Sequence, residues 1–325
     1  MFSSIKRGLF NSSGNQNSQA KTQNMFNINL SKKDGVESVQ IIPTSSDLNR
    51  IKLYHEGIDK IPMPPLLWDE FNTAVTKNAS NNKISAIIKS DSVLSAEILK
   101  IVNSAAYGLQ KPINDIGRAI SHLGHTFVRS IVTKHCFSSV FPPKGKLYDL
   151  PTLWKHGMAV SALAEIVGKH VKNCDPAEAG SIGLFHDVGR MAFNLFPDLI
   201  RTAYLDYEDK GYLQFESERF GCSHVELGEV MATHWKLPEK IKQGIKFHHH
   251  PGSEGIEAVP ESVRPEVLAV FLGDLLAIHL SFPGGNNGKL LPHESYQHML
   301  KKPLNDIMHE QAVSKELWRV NCIEF

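Results

Sequence analysis

Apolar residues recur at three- and four-residue intervals from about Leu48 to about residue 282, a spacing that is typical of amphipathic helices. The stretch from Leu153 to Val171 places His156 on the same face as four apolar residues, Leu153, Val160, Leu163 and Val167. Proline and glycine separate the helical stretches and do not interrupt them. The pattern therefore predicts an all-α protein in which His156 points into the core.

Shorter helices are predicted in the first half of the chain. One begins near Leu66 after closely spaced prolines, one near Lys83, and one runs from Ser92 as N-cap to Gly108 as its end. Two more follow, over Asp115 to Leu123 and over Val128 to Phe137. A small helical lobe is expected from these pieces.

Composition divides the chain into four parts. Residues 1–47 are rich in Asn, Ser, Gln and Lys and are expected to form a flexible polar leader. Residues 48–145 and 146–285 are predicted to form two helical lobes, which meet at a hinge in Phe141-Pro142-Pro143-Lys144-Gly145. Residues 286–325 form a tail that is expected to be partly helical.

Overall composition narrows the class of partner. The chain has 325 residues, of which 42% are hydrophobic, and this is enough to bury a substantial core. The formal net charge is +1 and no long Lys or Arg block occurs, so strong nonspecific nucleic-acid binding is not expected. A protein or small-molecule partner is favoured.

Cysteine spacing and the absence of long apolar runs indicate where the protein works. Cys136, Cys174, Cys222 and Cys322 lie far apart, without the close pairs of zinc ribbons or redox motifs. The sequence has no signal-peptide core and no run of roughly 20 apolar residues that could span a bilayer. Reduced thiols and a cytoplasmic protein without a transmembrane segment are expected.

The chemically most informative feature is His186-Asp187, two metal-ligand types side by side in a helix-like apolar run. Further candidates are His156, His224, the run His248-His249-His250, and Asp274 in another apolar segment. Imidazoles and carboxylates together suit Fe, Mn, Zn or Ni. The set points to a metal or phosphate-handling pocket.

Each candidate ligand also has a plainer structural interpretation. His156 can be a hydrogen-bonded core residue, His224 a helix cap, and the three consecutive histidines a solvated helix end stabilised by the dipole. Asp274 is harder to explain in this way, because a buried carboxylate without a partner is costly. The spacing alone leaves both interpretations open.

Several motifs in order resemble the HDOD family, a signalling branch related to metal-dependent HD phosphohydrolases. They are Asn103-Ser104-Ala105-Ala106-Tyr107-Gly108, then Ala119-Ile120-Ser121-His122-Leu123-Gly124, then Leu153-Trp154-Lys155-His156 followed by Gly183-Leu184-Phe185-His186-Asp187-Val188-Gly189. The resemblance covers roughly residues 56–285. It implies an all-α, HDOD-type helical array, with the N-terminal lobe packed on an HD-like lobe, and a regulatory output role.

The resemblance also implies a set of metal ligands. In HD enzymes a first His, the His-Asp pair and a later Asp hold metal, and His156, His186, Asp187 and Asp274 stand at matching places. Further histidines bind a second metal in the related HD-GYP phosphodiesterases, and His224, His248 and His249 are similar in position. One or two divalent ions are expected, Fe or Mn first, with Zn, Ni or Mg as other options.

Asp187 and Arg190 are the candidate catalytic residues. Two bound metals would lower the pKa of a bridging water towards about 7 for attack on a phosphoester. Arg190 stands where HD-GYP enzymes have Lys, and it can clamp phosphate but cannot donate a proton. The chain reads His250-Pro251-Gly252 where those enzymes have a Gly-Tyr-Pro signature, which disfavours cyclic dinucleotide hydrolysis.

Three hypotheses follow. The first is a regulatory protein that acts through a signalling protein partner, with a metal-loaded pocket as sensor or structural support. The second is an active metal-dependent phosphohydrolase or phosphodiesterase, with a phosphoester or nucleotide as ligand. The third is an interaction module with a metal-free, vestigial pocket.

Overall fold

The fold is all-α, as the periodicity predicts. The computed structural model describes residues 48–77, 79–138, 140–141, 147–196, 212–282 and 294–321. These ranges contain helices joined by turns, and an isolated bridge between Val171 and Leu300 is the only β pairing in them. No helix in them is long and apolar enough to cross a bilayer. The leader and residues 142–145 of the hinge lie outside them, so the predicted boundaries stay predictions.

Among the described residues, the first half contains six α-helices, whose bounds are α1 (Leu48–Ile58), α2 (Leu66–Thr76), α3 (Asn81–Lys89), α4 (Ser92–Val102), α5 (Ile116–Leu123) and α6 (His125–Ser138). Helices α2 to α6 pack on one another. Helix α1 instead contacts the second half, where the Tyr54 hydroxyl donates to the Phe220 carbonyl at 2.9 Å.

Two local predictions in this half are wrong by a few residues. The N-cap of α4 is Asp91, whose carboxylate accepts from the Leu94 N–H at 2.9 Å, so Ser92 is already helical. Helix α4 ends at Val102, and Gly108 instead follows a 3-10 turn with a φ of 57°. The competing feature is Asn103, whose side chain binds both backbone groups of Ile113 at 2.7 Å and so closes the loop.

In the part of the second half that the structure describes, eight α-helices precede the tail. Their bounds are α7 (Leu150–Gly168), α8 (Pro176–Phe185), α9 (Val188–Phe193), α10 (Tyr212–Phe220), α11 (His224–His234), α12 (Glu239–Phe247), α13 (His250–Ser253) and α14 (Arg264–His279). Helix α7 packs against α8 and α14 and is buried almost throughout. Such close packing needs glycine: a Cβ at Gly273 would lie 2.8 Å from the Ala164 nitrogen. Helix α7 is therefore the centre of the core.

Contacts between the two halves fix the end of α8. Phe185, its last residue, packs edge-on against Trp68 and Phe137, with ring centroids at 5.8 and 5.2 Å. Trp68 is held in turn by a hydrogen bond from its indole nitrogen to the Thr133 hydroxyl. The first half therefore supports the residue directly before His186.

The C-terminal residues add two helices, α15 (Leu304–Met308) and α16 (Gln311–Asn321), and both contact α7. Helix α16 also reaches the first half: the Arg319 guanidinium donates to the His122 carbonyl at 3.0 Å, and Trp318 packs on Tyr107. This part of the tail is packed on the body.

Gly189 allows α9 to lie directly on α11. A Cβ at this position would meet the His224 carbonyl oxygen at 1.9 Å and the Gly228 nitrogen at 2.7 Å. Both obstacles are backbone atoms, so the helices themselves would have to separate. Because α11 begins with His224, this contact also fixes the distance between His224 and the neighbouring Asp187.

We expect Gly189→Ala to lower the free energy of unfolding by about 1–3 kcal/mol or more, because the added methyl group overpacks a backbone contact. Urea unfolding followed by circular dichroism measures this change. Gly117→Ala is the matched control, since its Cβ would meet side-chain atoms and no backbone: a carboxylate oxygen of Asp115 at 3.1 Å and the Ser85 hydroxyl at 4.0 Å. A wild-type midpoint for Gly189→Ala would show that α9 and α11 separate without cost.

Candidate metal centre

His156 and Asp274 face each other from the middles of α7 and α14. The Nε2 atom of His156 lies 3.1 Å from Oδ1 of Asp274. The other ring nitrogen, Nδ1, donates to the carbonyl of Phe282 at 2.8 Å. Because a carbonyl only accepts, Nδ1 carries a proton, and Nε2 is the ring nitrogen that faces the pocket.

His186 and Asp187, which the sequence places in a helix-like apolar run, lie at a break between α8 and α9. Helix α8 ends at Phe185, and Nδ1 of His186 donates to the Gly183 carbonyl at 2.7 Å. That carbonyl lies in a last turn, where carbonyls lack an intrahelical partner. In a continuous helix the two side chains would point about 100° apart, whereas the break lets both enter the pocket.

His248 and His249 repeat this arrangement between α12 and α13. Nδ1 of His248 donates to the Ile245 carbonyl at 2.7 Å, again three residues back in a last turn. His248 and His249 are each only 1% exposed. This burial excludes the interpretation of these two histidines as a solvated helix end. His250 is the partly exposed member of the run.

His224 is the first residue of α11 and is not its cap. Ser223 is the N-cap and forms a capping box with Glu226. The His224 ring lies with Nδ1 2.6 Å from Oε2 of Glu216 and with Nε2 3.0 Å from Nε2 of His249.

Asp187 lies between two groups of ligands. Its Oδ2 is 3.5 Å from Nε2 of His186 and 3.9 Å from Nε2 of His156. Its Oδ1 is 3.3 Å from Nε2 of His224 and 3.8 Å from Nε2 of His248. The first group consists of His156, His186, Asp274 and the Oδ2 atom of Asp187. The second group consists of His224, His248, His249 and the Oδ1 atom of Asp187. The structure therefore brings all seven predicted ligands into one pocket.

The ligands are almost completely shielded from solvent, with exposures between 0% and 4%. Nε2 of His186 and Nε2 of His248 have no hydrogen-bond partner in the part of the chain that the structure describes. Each buried polar atom left in this state costs about 1–3 kcal/mol. Because the same atoms are good ligands for divalent ions, the residues fit a metal.

Electrostatics favour the ligand form of most of these groups. Burial, together with neighbouring imidazoles, holds the pKa values of His248 and His249 well below the usual range, and burial also lowers the pKa of His186. Burial would raise the pKa of Asp187, but the charge of Arg190 and the nearby histidines outweigh it and lower that pKa. Burial would likewise lower the pKa of His156, but Asp274 raises it.

Two further residues complete the wall of the pocket. Arg190 is fully buried and donates through Nη1 to Oδ2 of Asp187 at 2.8 Å. Glu216, on α10, is also fully buried; it accepts from the Tyr148 hydroxyl at 2.8 Å and lies 3.8 Å from Nε of Arg190. Sequence reasoning missed Glu216, because no ligand motif includes a glutamate eight residues before the histidine that it contacts.

Comparison with known proteins gives the family relationship. The sequence profile of the HDOD domain matches residues 61–251. An uncharacterized protein of Treponema pallidum (strain Nichols) is 25% identical over 228 residues, which are 68% of this chain. The chain spans 42% of the length of that relative.

Solved structures share the fold. An HDOD domain protein with unknown function from Geobacter sulfurreducens matches with a TM-score of 0.58 and 24% identity, over 84% of this chain and 88% of that one. A Shewanella amazonensis SB2B protein, provisionally named a phosphohydrolase, matches with a TM-score of 0.58 and 22% identity, over 82% of this chain and 97% of that one. A Marinobacter aquaeolei VT8 protein, provisionally named a signal transduction protein, matches with a TM-score of 0.63 and 14% identity, over 88% of this chain and 68% of that one.

We expect Arg190→Met to lower the free energy of unfolding of the metal-free protein by about 3–5 kcal/mol, because it leaves the buried charge of Asp187 without its guanidinium partner. Urea unfolding in the presence of a chelator measures the loss. Arg118→Met removes an exposed arginine and is expected to change stability by less than about 0.5 kcal/mol. Equal stabilities of the two variants would contradict the role given to the ion pair.

Proposed function

The chain belongs to the HDOD domain family, and we propose that it is a regulatory signal-transduction protein that binds divalent metal in its HD-like lobe and acts through a protein partner. The observation that carries the metal binding is the convergence of five imidazoles and two carboxylates in one buried pocket. Without an ion, several of their atoms lack a hydrogen bond among the described residues, and a metal would satisfy nitrogen and oxygen ligands together.

The two groups offer different ligand sets. The first group supplies two imidazoles and two carboxylates, and the second supplies three imidazoles and the shared carboxylate of Asp187. Both mixtures suit Fe or Mn, and the nitrogen-rich second group also suits Zn or Ni. We therefore propose two divalent ions, one in each group, with Asp187 between them.

Burial favours a regulatory role for the metal over turnover. A phosphohydrolase needs an open ligand position and room for a phosphoester, whereas all seven ligands are at most 4% exposed. Arg190, the candidate phosphate clamp, is engaged with Asp187 at 2.8 Å. In this role the ion holds α7, α8, α11 and α14 together, and its presence or loss changes the surface that a partner contacts.

A metal-dependent phosphohydrolase is the second candidate. The specific observation in its favour is that the two oxygens of Asp187 face different groups, the arrangement of a carboxylate that bridges two ions. Two bound ions would supply Lewis-acid stabilisation of a phosphoester and an activated water. Catalytic roles for Asp187 and Arg190 belong to this candidate.

The first test is the metal content of protein purified without a metal-affinity column and reconstituted anaerobically with Fe²⁺ or Mn²⁺. We expect about two ions per chain in the wild type and a loss of both in Asp187→Ala, because the residue contacts both groups. His309→Ala, which removes an exposed histidine, is the control and is expected to keep both ions. A wild type without stoichiometric metal would contradict the proposal.

The same preparation separates the two candidates. Metal-loaded protein that hydrolyses no phosphomonoester, nucleotide or cyclic dinucleotide supports the regulatory role. Turnover that is lost in Asp187→Ala, while helicity is retained and His309→Ala stays active, would instead establish the phosphohydrolase.

A further inference from the structure

We infer that Glu216 is a positioning residue that makes the second group competent to bind its ion, although it is not a ligand itself. The inference rests on the proposed metal binding and adds a dependence that the ligand set alone does not contain. It follows from the contacts of Glu216, from the differences among the five imidazoles, and from the distribution of charge.

One carboxylate oxygen of Glu216 contacts two nitrogen atoms of His224. Its Oε2 lies 2.7 Å from the backbone nitrogen of His224 and 2.6 Å from the Nδ1 atom of the same residue. Its Oε1 accepts from the Tyr148 hydroxyl at 2.8 Å, and the side chain is fully buried. The backbone contact and the ring contact together fix the rotation of the imidazole, so that its Nε2 points at the other members of the second group, His249 and Oδ1 of Asp187.

His224 differs from the other imidazoles in the acceptor behind its ring. Backbone carbonyls accept from Nδ1 of His156, His186 and His248, and Nδ1 of His249 has no hydrogen-bond partner among the described residues. A carboxylate behind a ligating histidine orients the ring and raises the basicity of the other nitrogen. Within the second group, His224 is therefore the best-anchored ligand and His249 the least.

Charge gives Glu216 a second effect. The first group has a carboxylate of its own, Asp274, whereas the second group shares Asp187, and Asp187 is already paired with Arg190. A divalent ion beside three neutral imidazoles and half of a shared carboxylate is stabilised by another negative charge nearby. Glu216 supplies that charge in direct contact with His224, in a buried place where solvent screens it little. Arg190 lies farther from Glu216, at 3.8 Å, than from Asp187, at 2.8 Å.

The test is Glu216→Gln, which keeps the size of the side chain and an oxygen that can accept from His224 but removes the charge. We expect the variant to keep one tightly bound ion and to bind the second about 10–100-fold more weakly. Titration of metal-free protein with Zn²⁺ against a competing chelator measures both steps, and circular dichroism checks the fold.

Glu226→Gln is the matched control. It makes the same chemical change on α11 itself, two residues after His224, but Glu226 contacts the cap residue Ser223 and not the imidazole. It is expected to weaken the capping box and to leave both metal affinities unchanged. Tyr148→Phe is a milder second variant, which removes only the hydroxyl that donates to Oε1 of Glu216. We expect it to weaken the affinity for the second ion several-fold and to leave the affinity for the first ion unchanged.

The outcomes separate the two proposals. A wild type that binds two ions, together with a Glu216→Gln variant that binds both equally well, would overturn the positioning role and leave the proposed function intact. Equal weakening of both ions in a folded Glu216→Gln variant would also overturn it, because the effect would then not be specific to the second group. A wild type that binds no metal would overturn the proposed function and this inference together.

Discussion

A negative charge buried at Asp187 is the constraint on which the pocket depends. A carboxylate that is 4% exposed stays ionised only if positive or proton-donating groups surround it. Arg190 supplies one such group at 2.8 Å, and a metal ion bound between Asp187 and the imidazoles of either group would supply another. The break between α8 and α9 lets Asp187 reach the pocket, and the absence of a side chain at Gly189 lets α11 bring His224 to it.

Most of the side chains that line the pocket come from helix ends and not from helix middles. Two ligand pairs, His186-Asp187 and His248-His249, occupy breaks between consecutive helices, and the first histidine of each pair donates to a carbonyl three residues back. One hydrogen bond thus satisfies a last-turn carbonyl and also leaves Nε2 facing inward. His156 and Asp274 come from helix middles, where the glycine-mediated packing of α7 on α14 brings them within 3.1 Å.

The sequence predicted much of this and missed the parts that depend on tertiary contacts. Helical periodicity and residue type predicted the all-α fold, and the family resemblance pointed to seven candidate ligands, which the structure brings close together. Periodicity could not locate the break at His186, because apolar residues continue on both sides of it. Nor could it find Glu216, which meets His224 only after α10 and α11 have folded together. The pairing of Arg190 with Asp187, three residues apart, was visible in principle, but its burial was not.

The most direct test of the account is anomalous diffraction from crystals of the metal-loaded protein, measured on either side of the absorption edge of the metal. The account predicts two anomalous peaks, one among His156, His186 and Asp274 and one among His224, His248 and His249, with Asp187 between them. A single peak outside both groups, or no peak in the pocket of a protein that carries stoichiometric metal, would contradict it.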